Sequence, residues 1–136
     1  AVVMGHEIAH AIARHGNERM SQGLLAQGLG AAGQIGTSGA SPAFQAVFNQ
    51  SFGIGSQLGL LKFSRNNESE ADKLGLVFMT MAGYNPATAV EFWKRMAANK
   101  GNGQNPPEFM STHPSDDRRI VGILEYLPEA RNWANK

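Results

Sequence analysis

Five residues near the start of the chain, His6-Glu7-Ile8-Ala9-His10, restrict what it can fold into more than any other feature. They read HExxH, a spacing that has chemical sense on a helix. Four residues of α-helix advance ~400°, so His6 and His10 stand ~40° apart on one face, one turn above the other. Two imidazoles so placed can bind one zinc ion. Glu7 lies ~100° round from His6, too far to be a third ligand in the same plane but near enough to reach a zinc-activated water, which makes it a candidate general base. Apolar Val2, Val3, Met4, Ile8 and Ala9 surround the polar triplet. The expectation is a buried helix carrying two histidines and a glutamate, and buried ionisable groups need a partner such as a metal.

A catalytic zinc usually has three protein ligands plus water. The chain has no cysteine, which also excludes disulfide frameworks, iron–sulfur clusters and thiol nucleophiles. His15 lies ~140° from His10 about the helix axis and is expected on the surface, near a helix C-terminus where the dipole favours it. The remaining source is Glu68-Ser69-Glu70-Ala71-Asp72. Glu68 and Asp72 share a face at i, i+4, while Glu70 points ~160° away, towards solvent and Lys73 or Arg65. In this division Glu68 binds the metal, and Asp72 accepts a hydrogen bond from the outer nitrogen of a ligand histidine, fixing its tautomer. A solvated acidic face is the competing reading; the need of HExxH for a further ligand weighs against it.

The 136 residues are 42% hydrophobic and 17% charged, with a net charge of +1. That describes one globular domain and excludes a strongly basic nucleic-acid binder, so no nucleic-acid partner is expected. The chain starts at Ala1 with no leader-like segment, and is expected to be a fragment or a processed form. Charge is uneven. From Met20 to Leu61 there is no Lys, Arg, Asp or Glu, and nine of the 16 glycines fall there. Repeated Gln, Ser and Gly argue against a membrane span. This uncharged, Gly-rich insertion at about 20–61 is expected to form two marginal helices joined by a loop at 36–42; a mobile lid, a dimer surface or a patch resting on a membrane are the alternatives.

The fold class is all-α. Helices are predicted at about 1–15, 18–35, 43–62, 65–82 and 86–99, then a loop at 100–112 and a last helix from Pro114 towards Tyr126, interrupted by Pro128. Leu74, Phe78 and Met81 are the expected core stripe of the fourth helix, and Val90, Trp93 and Met96 that of the fifth. Gly83 suits the position just past a helix end, with Asn85 as the next cap and Pro86 in its first turn.

Three separated segments, GHEIAH, SRNNESEADKLGL and STHPSDDRRI, resemble the zinc metallopeptidase family of HtpX-like, BepA-like and Oma-like proteases, related to the type I CaaX prenyl proteases. The resemblance runs from Val2 to Ile120 and implies a gluzincin with zincin-type active-site helices, holding one zinc per chain through His6, His10 and Glu68. The family pattern E-x-x-A-D falls on Glu68, Ala71 and Asp72. It implies a zinc-dependent endopeptidase with Glu7 as base, acting on protein or peptide substrates in quality control, periplasmic or membrane-associated through its parent protein. Family domains carry an edge strand before HExxH that pairs with substrate; only five residues precede His6, so that strand is expected to be missing and the chain to be a weak peptidase. The alternative is a non-enzymatic zinc-binding, chaperone-like interaction domain.

His113 precedes Pro114, which restricts it to extended backbone and so aims its imidazole away from the following helix. It is a candidate catalytic residue in one of two forms: a donor to the developing oxyanion, the preferred form, or a fourth ligand that displaces water. The resemblance places this histidine near the metal and implies Arg119 as a buried charge partner for an active-site carboxylate.

Overall fold

The structure is a computed structural model that describes residues 1–99, 113 and 117–134. Among them are five helices and no strand: α1 (Val2–Ile12), α2 (His15–Gly36), α3 (Pro42–Met81), α4 (Thr88–Asn99) and α5 (Asp117–Arg131). The chain divides into two compact units, Ala1–Ala13 with Asn67–Lys136, and Arg14–Asn66. Helix α3 contributes its residues 42–66 to the second and 67–81 to the first.

The first unit is held by an apolar core of Leu76 from α3, Ala89, Val90 and Trp93 from α4, and Ile123, Leu127 and Ala130 from α5. The junction of α3 and α4 follows from its residues. Gly83 takes a left-handed φ of 80°, where a side chain would be strained. The Tyr84 and Gly83 N–H groups donate to Met79 and Thr80 carbonyls at 2.9 and 3.0 Å, which closes the helix end. Asn85 Oδ1 then accepts the Ala87 N–H at 3.0 Å.

Small residues bring α1 and α3 together. Gly5 and Ala9 stand one turn apart on α1, Ala71 and Gly75 one turn apart on α3, and all four are buried. A Cβ on Gly5 would lie 2.8 Å from the Gly75 carbonyl oxygen, and one on Gly75 would lie 3.0 Å from His6 N. Backbone meets backbone, so the HExxH turn is set directly against the turns carrying Glu68 and Asp72. Gly5→Ala is expected to force the helices apart, to cost about 1–3 kcal/mol as overpacking does, and to weaken zinc uptake. Thermal melts and a zinc titration check both.

The second unit is a hairpin of α2 and the first part of α3. Gly33 and Gly30 lie against the Phe48 and Phe52 rings, where an added Cβ would come within 2.3 and 3.0 Å of the ring. His15 is its one buried residue. The connection at 37–41 closes on itself. Thr37 Oγ1 donates to Gly33 O at 2.9 Å, Gln45 Nε2 to Ala40 O at 3.0 Å, and Phe44 N to Ser41 Oγ at 3.3 Å.

Several expectations are corrected. The helices predicted at 43–62 and 65–82 are one helix, because the return of charge at Lys62 is no break and residues 60–66 include neither Gly nor Pro. Pro128 does not end the last helix, which runs to Arg131; it removes one N–H near the last turn, beneath exposed Leu124. Helix α1 stops at Ile12 and Arg14 adopts a φ of 58°, so His15 opens α2 and is buried instead of sitting on the surface. Helix α1 is buried on one face alone, with Met4, Ile8 and Ile12 exposed. On α3 the buried positions are Asn67, Glu68, Ala71, Asp72, Gly75, Leu76, Val77, Met79 and Thr80, while Met81 is exposed, because docking against α1 selects the face of Gly75. The predicted loop at 100–112 and the Pro114 helix start lie outside the described residues.

Candidate metal centre

His6 and His10 project from α1 with their Nε2 atoms 3.0 Å apart. Glu68 reaches across from α3, its Oε2 3.3 Å from His6 Nε2 and its Oε1 3.2 Å from His10 Nε2. His113 adds its Nδ1, 2.9 Å from Glu68 Oε1 and 3.4 Å from His6 Nε2. One ligand atom from each of these four residues lies within 4.8 Å of all the others.

The other ring nitrogen of His6 faces Asp72, with Nδ1 3.0 Å from Oδ1. A carboxylate only accepts, so Nδ1 carries a proton toward Asp72, which would leave Nε2 as the metal-facing nitrogen of a neutral imidazole. Asp72 is itself held by Arg119 of α5 through two parallel bonds, Nε to Oδ2 and Nη2 to Oδ1, both 2.7 Å. This fork geometry is the strong form of a charge-assisted pair. Arg119 Nη1 also stands 3.1 Å from Glu68 Oε2. The guanidinium lies over the Trp93 ring, 4.0 Å from its centroid, a cation–π contact in a buried setting. Trp93 was legible in sequence as core, but nothing in the spacing signals that it forms the floor beneath Arg119. The small pairs Gly5–Ala9 and Ala71–Gly75 stand in the sequence as i, i+4 repeats, the one local signal of this close helix approach.

Electrostatics follow the geometry. Burial acts most strongly on His6 and pushes its pKa down, but the hydrogen bonds and charge of Asp72 and Glu68 outweigh it, leaving the imidazole above its ordinary value. Burial likewise pushes Glu68 up, yet His10, His6, the Arg119 charge and His113 hold it well below the usual carboxylate range.

The donor set fits a zinc ion. In its neutral tautomer His6 would present Nε2 to the space shared by an ionised carboxylate and a second imidazole, the donors that zinc takes together. Glu68 Oε2 is buried and accepts no aligned hydrogen bond, although Arg119 is close. Tetrahedral zinc with ligands at ~2.0–2.1 Å has edges of ~3.3 Å, against observed separations of 2.9 to 3.4 Å. Glu7 stays outside this set. Its side chain is 47% exposed, with Oε1 3.3 Å from His113 Nε2. Glu70 is exposed.

The sequence profile described as Peptidase family M48 matches residues 1–127. The mitochondrial metalloendopeptidase OMA1 of Schizosaccharomyces pombe is 38% identical over 96% of this chain and 37% of its own length. The beta-barrel assembly-enhancing protease of Yersinia pestis is 32% identical over 100% of this chain and 27% of its own length. The chain thus spans well under half of these relatives. No solved structure matches it.

Proposed function

The chain belongs to peptidase family M48, and on that premise we propose that it is the catalytic core of a zinc-dependent endopeptidase. The observation that carries the reading is the convergence of His6, His10 and Glu68 with Glu7 beside them. His6, His10 and Glu68 hold one zinc ion. Bound there, the ion supplies Lewis acidity that lowers the pKa of water and polarises a peptide carbonyl. Glu7, exposed beside the cluster, takes the proton from the attacking water and passes it to the leaving amine. Asp72 fixes the His6 tautomer, and Arg119 fixes Asp72. The substrates are proteins or extended peptides, and the setting is protein quality control, in a periplasmic or membrane-associated parent. Two relatives support the protease reading by name, as a mitochondrial metalloendopeptidase and a beta-barrel assembly-enhancing protease, while the periplasmic or membrane-associated setting rests on the family resemblance.

Casein or peptide cleavage with and without a chelator tests the reading. The expected result is hydrolysis lost on chelation and recovered with one equivalent of zinc. Zinc uptake with no cleavage of any peptide would favour the non-enzymatic zinc-binding domain, and no zinc uptake would end both.

Of the two roles open to His113, the arrangement favours the blocking one. Its Nδ1 stands among the ligand atoms, at 2.9 Å from Glu68 Oε1, not beyond them. With zinc bound, His113 would stand where the activated water is needed. His113→Ala is expected to raise peptide turnover several-fold and to weaken zinc affinity on the order of tenfold, as loss of a supporting group at a metal site does. A fall in turnover with unchanged zinc affinity would return the oxyanion role.

A further inference from the structure

The charge-free stretch Met20–Leu61 contributes no residue to the metal centre. On α2, Met20, Leu24 and Ile35 fall within ~60° of arc, each more than half exposed, on the side opposite Leu29 and Gly33. On α3, Val47, Ile54, Leu58 and Leu61 also fall within ~60° and are exposed, turned away from the Phe48 and Phe52 side that meets α2. Both flanks of the hairpin therefore carry exposed apolar side chains, with the small Gly28 and Ala31 between Leu24 and Ile35 on α2, and exposed apolar surface of this kind marks an interaction site.

The ends of the stripes say what covers them. Each runs for about four turns, ~22 Å at ~1.5 Å per residue. One leaflet of a bilayer with its headgroups is ~20–22 Å deep. Arg19 stands immediately before Met20, Lys62 immediately after Leu61, and Arg65 one turn on, all exposed. Pairing of Gly33 with Phe48 and Gly30 with Phe52 makes the hairpin antiparallel, so these cations share the end remote from the 36–42 tip. At the tip, Thr37, Ser41 and Gln45 satisfy carbonyls and an N–H within the hairpin, as lipid requires. No helix among the described residues is long and apolar enough to cross a membrane, so entry stops at one leaflet. A second copy is the poorer occupant: a closed dimer covers one flank, and no charge sets a register between copies.

We propose that the hairpin enters one leaflet of an anionic lipid bilayer tip first, with Ile35, Phe44 and Val47 deepest and Arg19, Lys62 and Arg65 at the headgroups. This goes beyond the protease reading and does not depend on hydrolysis. The test is flotation of the whole chain with phosphatidylcholine vesicles containing one-third phosphatidylglycerol, against pure phosphatidylcholine. Binding to the anionic vesicles is expected. The combined Ile35→Ser, Phe44→Ser, Val47→Ser variant should lose it by about tenfold or more. Arg19→Ser, Lys62→Ser, Arg65→Ser should lose the preference for phosphatidylglycerol. Both variants should melt like the parent, because these side chains are exposed. No binding to either vesicle overturns the proposal, as does binding that the apolar variant retains. Self-association in lipid-free buffer that the apolar variant dissolves, with no vesicle binding, overturns it in favour of a second copy.

Discussion

Glu7→Gln is expected to load zinc like the parent chain and to lose peptide hydrolysis by on the order of 10²–10⁴-fold, the range typical of a removed general base. The separation of the two effects follows from position. Glu7 follows His6 directly, but α1 turns it out of the ligand set and leaves it about half exposed. An amide of the same shape keeps the volume and any contact to His113, yet neither accepts the proton of water nor returns one to the amine. Peptide cleavage and bound zinc, measured on the same preparation, decide it. Hydrolysis at the parental rate would remove Glu7 from the chemistry. A variant without zinc would place Glu7 in the metal site instead.

Arg119→Met is expected to be the most destabilising single change. Arg119 is the cation against both Asp72 and Glu68, all three buried. Removing one partner of a buried ion pair costs about 3–5 kcal/mol, because the other charge remains without compensation. In a domain of this size that lowers the melting temperature on the order of 10 °C or more. Zinc should restore part of the loss by supplying positive charge beside Glu68. Arg119→Lys should fall between, since it keeps the charge but not the two-pronged geometry or the flat face on Trp93. A melt within a degree or two of the parent would show that Arg119 carries little of the stability. Thermal melts with zinc and with chelator make the comparison.

Much of this centre was legible because its chemistry is written in local spacing. HExxH specifies two histidines one helical turn apart, and the i, i+4 relation of Glu68 and Asp72 separates them from Glu70 without any knowledge of the fold. The break at 36–42 was legible for a similar reason, as Gly36 and Pro42 bound it. What stayed hidden depends on partners remote in sequence. The buried face of α3 follows from its approach to α1, where Gly75 matters more than Leu74 or Phe78. Burial of His15 follows from a left-handed Arg14 that no local rule demands. The bond between Arg119 and Asp72 joins positions far apart in the chain, and Trp93 beneath it looks like any core tryptophan.

The clamp of Arg119 on Asp72 and Glu68 also leaves the buried group short of positive charge. Glu68 and Asp72 contribute two negative charges and Arg119 one positive, so with neutral imidazoles the buried group would carry a net charge of minus one. A cation seated beside Glu68 would offset that charge where water is scarce. The mixed imidazole and carboxylate donors would then narrow the choice among the divalent metals.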